Sequence, residues 1–178
     1  HVSVVDGEGN VIFESGAAHS NGAIDGNDYD ANPIAYEPHY EEINGPDQVQ
    51  IYEAILEDIS GEITTGLLKA QGYRKDNRLL PLGFNKASAG EDIAVHGSAA
   101  EDEDFTGGSD TVRYAIDLPD GVGRITVTAE LLYQSISYRW AENLRSYDAA
   151  EINRFVDAYD ALPNRPIILN AITTKVEP

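Results

Sequence analysis

The 178-residue chain contains no cysteine. That absence removes disulfides, thiolate metal sites, thiol nucleophiles and covalent haem attachment through a Cys-x-x-Cys-His motif together. Basic residues are scarce: twelve Lys and Arg stand against thirty-one Asp and Glu, a formal charge of −19. Such a chain repels a phosphate backbone or an anionic bilayer, which argues against nucleic acid and membrane partners. Apolar runs are short, and none approaches the roughly 20 residues that a membrane-spanning helix requires. The familiar catalytic signatures are also missing: no Gly-x-Ser-x-Gly elbow, His-Glu-x-x-His helix, phosphate loop or Gly-x-Gly-x-x-Gly fingerprint occurs. His1, His19, His39 and His96 are scattered, without the i, i+2 or i, i+4 partner that prebuilds a zinc face. His39 sits in Tyr36-Glu-Pro-His-Tyr40, a polar and aromatic cluster that reads equally as the lining of a site or as a loop plugged against the sandwich by its tyrosines, and it is not taken as a general base. Paired carboxylates for glycoside hydrolysis are defined by separation in space, so an abundance of acids is no evidence for them.

What is present is β-patterned. Val2–Val5 and Val11–Glu14 flank Asp6-Gly-Glu-Gly-Asn10, where Gly and Asn tolerate positive φ and permit a hairpin reversal. Residues 15–46 are rich in Gly, Asn, Asp and Pro and show no sustained period, the pattern of a long loop held by something. Strands are expected over Val49–Glu57, Leu67–Tyr73 and Ile93–His96, with Arg74–Arg78 as a polar crossing; a short helix is the alternative for the first, since Ile51, Ile55 and Ile59 sit four apart. The alternation is clearest in Asp110–Asp117 and Ile125–Tyr133. Ala149–Leu162 has helical spacing through Ile152, Phe155, Val156 and Tyr159, with Asp148 as N-cap, Glu151 completing a capping box, and Pro163 closing it. A closing strand is expected over Pro166–Val176. Trp140 is expected to anchor the core, with Arg139 or Arg145 paired to a carboxylate. These elements predict a mainly β fold, an antiparallel β-sandwich (Ig-like or jelly-roll-like) with long loops and one C-terminal helix, as a single domain over residues 1–178.

Two acidic, glycine-bearing segments stand out, Asp25-Gly-Asn-Asp-Tyr-Asp-Ala-Asn32 and Glu101-Asp-Glu-Asp-Phe-Thr-Gly-Gly-Ser-Asp110. In the first, Asp28, Asp30 and Asn32 have the D-x-D-x-N spacing that turns oxygen ligands toward one side of a loop. Pro33 replaces the turn Gly and His39 the bidentate Glu, so it is not an EF-hand. In the second, Asp102, Asp104 and Thr106 repeat the spacing, with Gly107 at the turn and Asp110 three residues beyond it. Crowded carboxylates favour a hard cation, and calcium is the expected ligand of both loops. Solvated acidic turns are the alternative reading.

Several stretches together resemble a known family: Gly9-Asn-Val-Ile-Phe-Glu-Ser-Gly16; Asp47-Gln-Val-Gln-Ile-Tyr-Glu53 with Thr64-Thr-Gly-Leu-Leu68 and Lys75-Asp-Asn-Arg-Leu-Leu-Pro-Leu-Gly-Phe84; and Asp104-Phe-Thr-Gly-Gly-Ser-Asp110 with Leu132-Tyr-Gln-Ser-Ile-Ser-Tyr-Arg-Trp-Ala-Glu-Asn-Leu144. They resemble the β-rich C-terminal domain that follows the haem-bearing part of certain bacterial multihaem c-type cytochromes and related exported proteins of unassigned function. The likeness runs from Val2 to about Tyr159. It implies a periplasmic or cell-surface accessory domain, a piece of a longer protein with a further strand ahead of His1, and it brings no catalytic residues with it.

The sequence thus predicts a non-catalytic, calcium-stabilised extracytoplasmic domain for assembly or docking. Its expected partner is a protein or another segment of the same protein, haem-bearing in the reading that the resemblance implies, with a homo-oligomer as a further option. Two other readings stand beside it. One is a carbohydrate-binding module or polysaccharide-acting enzyme using Tyr36, Tyr40, Trp140 and a carboxylate pair; the other is a subunit of an extracellular filament completed by strand exchange.

Overall fold

The computed structural model describes residues 1–27, 32 and 34–177. Among them, strands dominate and two α-helices occur. The chain divides into two compact units, one of His1–Ala31, Asn44–Val49 and Ala115–Pro178, the other of Asn32–Ile43 and Gln50–Tyr114.

The first unit is built on a four-stranded antiparallel sheet in the order β2-β1-β8-β9. Here β1 is Val2–Val5, β2 is Val11–Ser15, β8 is Ile125–Tyr133 and β9 is Ile167–Val176. The β1–β2 reversal is organised by Asp6, whose carboxylate accepts the N–H groups of Glu8 and Asn10, while Gly9 supplies the positive φ. Val4, Phe13 and Ile125 are buried in this unit, and Ser15 Oγ donates to the Gln48 carbonyl. α1 spans Tyr138–Leu144 and α2 spans Ala150–Ala161. The first was not expected: Tyr138–Leu144 is too short for its period to stand out, and it turns Arg139 and Ala141 inward, leaving Trp140 half-buried. Arg145, just beyond α1, makes the expected carboxylate pair, holding Asp160 with two nitrogens and Glu142 with a third. Asp148 does not cap α2. Ala149 occupies the N-cap, and the Asp148 carboxylate accepts from the Asn153 side chain instead.

The second unit contains a three-stranded antiparallel sheet, order β5-β4-β6, with β4 at Ala54–Asp58, β5 at Ile63–Thr64 and β6 at Ala70–Asp76. It also has a two-residue parallel pair, β3 at Glu42–Ile43 against β7 at Arg113–Tyr114. Several strand boundaries depart from the sequence pattern, in each case because local hydrogen bonding intervenes. Ile51 and Glu53 lie ahead of β4: the Ile51 carbonyl and the Glu53 N–H bond to the side chains of Lys75 and Asn77, and the Glu53 carbonyl accepts the Asn77 N–H just beyond β6. Leu67 and Leu68 form a turn in which Gly66 O accepts the N–H groups of Lys69 and Ala70. In the segment expected as a strand over Asp110–Asp117, the N–H of Thr111 is taken by the carboxylates of Asp104 and Asp110, and only Arg113–Tyr114 pairs. Ile93 ends a 3-10 turn over Glu91–Ile93, and His96 makes a single bridge with Asp76.

Candidate functional site: a buried polar knot around His39

Within the second unit, the buried apolar side chains Ile43, Ile55, Ala99 and Phe105 accompany an unusual number of buried polar ones: Glu37, His39, Lys75, Asp76, Asn77 and Asp102. His39, in the segment before β3, is central. Its Nε2 lies 3.0 Å from Asp102 Oδ2 and 3.9 Å from Asp110 Oδ1. Its Nδ1 faces two amides, Gln50 Nε2 at 2.9 Å and Asn77 Nδ2 at 3.0 Å.

The surrounding bonds fix the tautomer. Gln50 Oε1 accepts the N–H of Tyr40, and Asn77 Oδ1 accepts the N–H of Glu53, so both amides must turn their NH2 groups toward the imidazole. Nδ1 is therefore the acceptor, and Nε2 carries the hydrogen that Asp102 receives. The ring also packs against Phe105, centroid 4.9 Å away and tilted by 56°, and Tyr52 stacks on Phe105 with 12° between the planes.

Every oxygen of both carboxylates already faces a protein donor. Asp102 Oδ1 accepts the N–H groups of Asp104 and Phe105. Asp110 accepts the Tyr52 hydroxyl at 2.5 Å on Oδ2 and the Thr111 N–H on Oδ1. Burial on its own would raise the Asp102 pKa, but the hydrogen bonds from His39 and the two backbone amides outweigh it and hold the carboxyl below its ordinary value. Burial, followed by the bond to the anionic Asp110, pushes the Tyr52 hydroxyl well above the usual range. A second node lies beside the first. Lys75 on β6, with 1% of its surface exposed, donates from Nζ to the carbonyls of Glu37 and Ile51 and pairs with Glu53 at 3.3 Å.

Ligand atoms of His39, Asp102 and Asp110 all fall within 4.8 Å of one another, close enough to face a single ion. The donor set does not fit one. A metal on Nε2 needs the hydrogen moved to Nδ1, where two amide donors already point, whereas a ligating histidine normally donates its other N–H to an acceptor. Calcium takes six to eight oxygens. Here Asp104 Oδ1 is engaged with Thr111 N–H, and Thr106 Oγ1 with Ser109 Oγ. Of the four residues expected to converge on a cation in this loop, then, Asp102 and Asp110 come together around His39 while Asp104 and Thr106 serve the loop's own turns. In the first acidic segment, Asp28 and Asp30 lie outside the described residues, and Asn32 Oδ1 accepts the Ile34 N–H.

The loop is also pinned by backbone. Gly108 N–H donates to Leu80 O at 2.9 Å, and a Cβ on Gly107 would meet Phe84 O at 2.5 Å and Phe84 N at 2.8 Å. Gly107 thus permits two main chains to touch. The sequence did carry one signal for this knot: period-2 alternation puts Gln50 and Tyr52 on the same side, and both reach the His39 cluster. It gave no hint of Asn77 or Lys75.

What emerges is a β-rich protein whose second unit is organised by a tautomer-fixed histidine. Comparison with protein-family models, curated proteins and solved structures finds no match.

Proposed function

We propose that the chain is a non-catalytic extracytoplasmic β module for assembly or docking, associated with a haem-bearing partner or segment. The observation that carries this reading is β9. All ten of its residues are exposed, and Ile167, Ile168, Leu169, Ile172 and Val176 retain between 40% and 69% of their surface. It is also the outer strand of its sheet in the order β2-β1-β8-β9, with no further strand on that edge among the described residues, although the Ala171 N–H is taken by Asn170 Oδ1. A long apolar edge strand with both faces in water is a template for another chain, and soluble proteins ordinarily cover or interrupt such edges. The His39 knot supports the non-catalytic part, because the imidazole lone pair that a general base would use is occupied by two amides.

The test places a photo-crosslinking amino acid at Ile172 in the protein's native host, with Val11 on the opposite edge strand as control. A haem-staining adduct, or one at twice the chain mass, obtained from Ile172 and not from Val11, is the expected outcome. Equal labelling from both positions, or none from Ile172, overturns the reading.

A further inference from the structure

We infer that β9 pairs edge to edge with β9 of a second copy of this chain, antiparallel and about a two-fold axis. This inference rests on the docking role just proposed for β9 and commits it to one occupant.

Three observations single out a second copy. The first is charge. Each copy carries −19, so most approaches between copies set carboxylates against carboxylates. Ala161–Val176 is the longest stretch of the chain without an acidic residue, and it carries Arg165 and Lys175. β9 lies wholly inside it, so two copies meet there without opposing carboxylates on the paired strands. The second is apolar exposure. Five apolar residues of β9, with Leu131 at 39% and Tyr133 at 51% on β8, stand exposed along this edge, and a strand paired there would shield their flanks from water.

The third observation is the shape of the edge. β8 and β9 pair continuously from Ile125↔Val176 to Leu131↔Asn170, and the register then shifts so that Leu132 faces Ile168. Leu169 is passed over, and the resulting bulge bends the strand. Regular ladder is therefore confined to Asn170–Val176, and because Asn170 Oδ1 already takes the Ala171 N–H, Ile172–Val176 is the stretch left for one isologous pairing. A two-fold arrangement uses that same edge on both copies and consumes it, which closes the assembly at two.

Sedimentation velocity of the purified chain, at concentrations up to about 100 μM, reads the association directly. The expected result is a monomer–dimer equilibrium that tightens as salt rises, because screening weakens the repulsion between two acidic bodies. Ile172→Glu sets like charges near the axis and should weaken the dimer about a hundredfold, with circular dichroism and melting temperature unchanged. Because the chain has no cysteine, single cysteines introduced from Asn170 to Val176 report geometry. In an antiparallel two-fold pair only a position next to the axis brings its own copy within disulfide reach, so crosslinking should peak at one residue. Crosslinking along the whole strand would indicate parallel pairing and overturn the arrangement. A monomer at every concentration, or a dimer indifferent to Ile172→Glu, overturns the second-copy inference. If a haem-staining adduct still forms at Ile172 in the host, the docking role survives that failure; if no adduct forms, both fall.

Discussion

His39 Nε2 donates to Asp102 Oδ2 across 3.0 Å and sixty-three positions of chain, with both side chains almost wholly buried. The bond ties the second acidic loop to the segment before β3, and its value to the fold lies in what each partner would lose without the other. Asp102→Ala leaves an imidazole N–H without its acceptor and two loop amides uncapped. Urea denaturation should show a loss of about 2–3 kcal/mol with an unchanged m-value, and Asp102→Asn should recover part of it.

Acid should unfold the second unit early. Asp102 is held below its ordinary carboxyl range in the folded protein, so its stabilisation is complete above the unfolded value near 3.8 and is lost as pH falls through the lower folded value. Between pH 4 and pH 2 the wild-type chain should therefore lose more stability than Asp102→Asn, measured by thermal melts at each pH.

The opposite sign holds at the chain start. His1 bonds Glu130 on β8 through Nδ1 and Glu14 on β2 through Nε2. Burial lowers its pKa, but the two carboxylates more than reverse this, and the folded value lies above 6.5. Its contribution is therefore full below about pH 6.5 and fades as pH rises through the folded value. His1→Ala should lower the melting temperature at pH 5.5 and have little effect at pH 8.5.

Gly107→Ala forces a Cβ against main-chain atoms of Phe84 that have no side-chain freedom to yield. A loss of about 1–3 kcal/mol is expected by urea denaturation, whereas Gly123→Ala, with nothing within 4 Å of its Cβ, should change stability by less than about 0.5 kcal/mol.

Calcium gives a sharper test of the loop, since every carboxylate oxygen of Asp102 and Asp110 already faces a protein donor. Added calcium should leave the amide resonances of Asp102–Asp110 in place. Saturable shifts confined to those residues would mean that the loop opens to take the ion.

The sequence was most legible where one rule governed the chain. The β1–β2 hairpin follows from alternation around a Gly-Asn turn, and β8 and β9 follow from long β-branched runs. The knot was less so, because hydropathy treats Arg74–Arg78 as a surface crossing. In fact Lys75, Asp76 and Asn77 are among the most buried residues of the second unit. Asp76 accepts from Arg78 nearby, but the burial of Lys75 and Asn77 depends on groups of Glu37, Ile51 and Glu53, partners more than twenty positions away that no local pattern announces. The acidic spacing in Glu101–Asp110 likewise identified the right loop, but it could not tell cation ligands from side chains that cap backbone N–H groups, since both roles favour Asp at alternate positions.

The parallel pair of Ile43 with Tyr114 has a consequence for the order in which the protein forms. The strands that close the second unit come from near its two ends in sequence, and His39 meets Asp102 and Asp110 across a similar span. These contacts cannot arise until synthesis has passed Tyr114, and closing so long a loop carries an entropic cost that nearby contacts avoid. Maturation of that unit should thus be slow, leaving residues 32–113 without their closing partners until Tyr114 has been made.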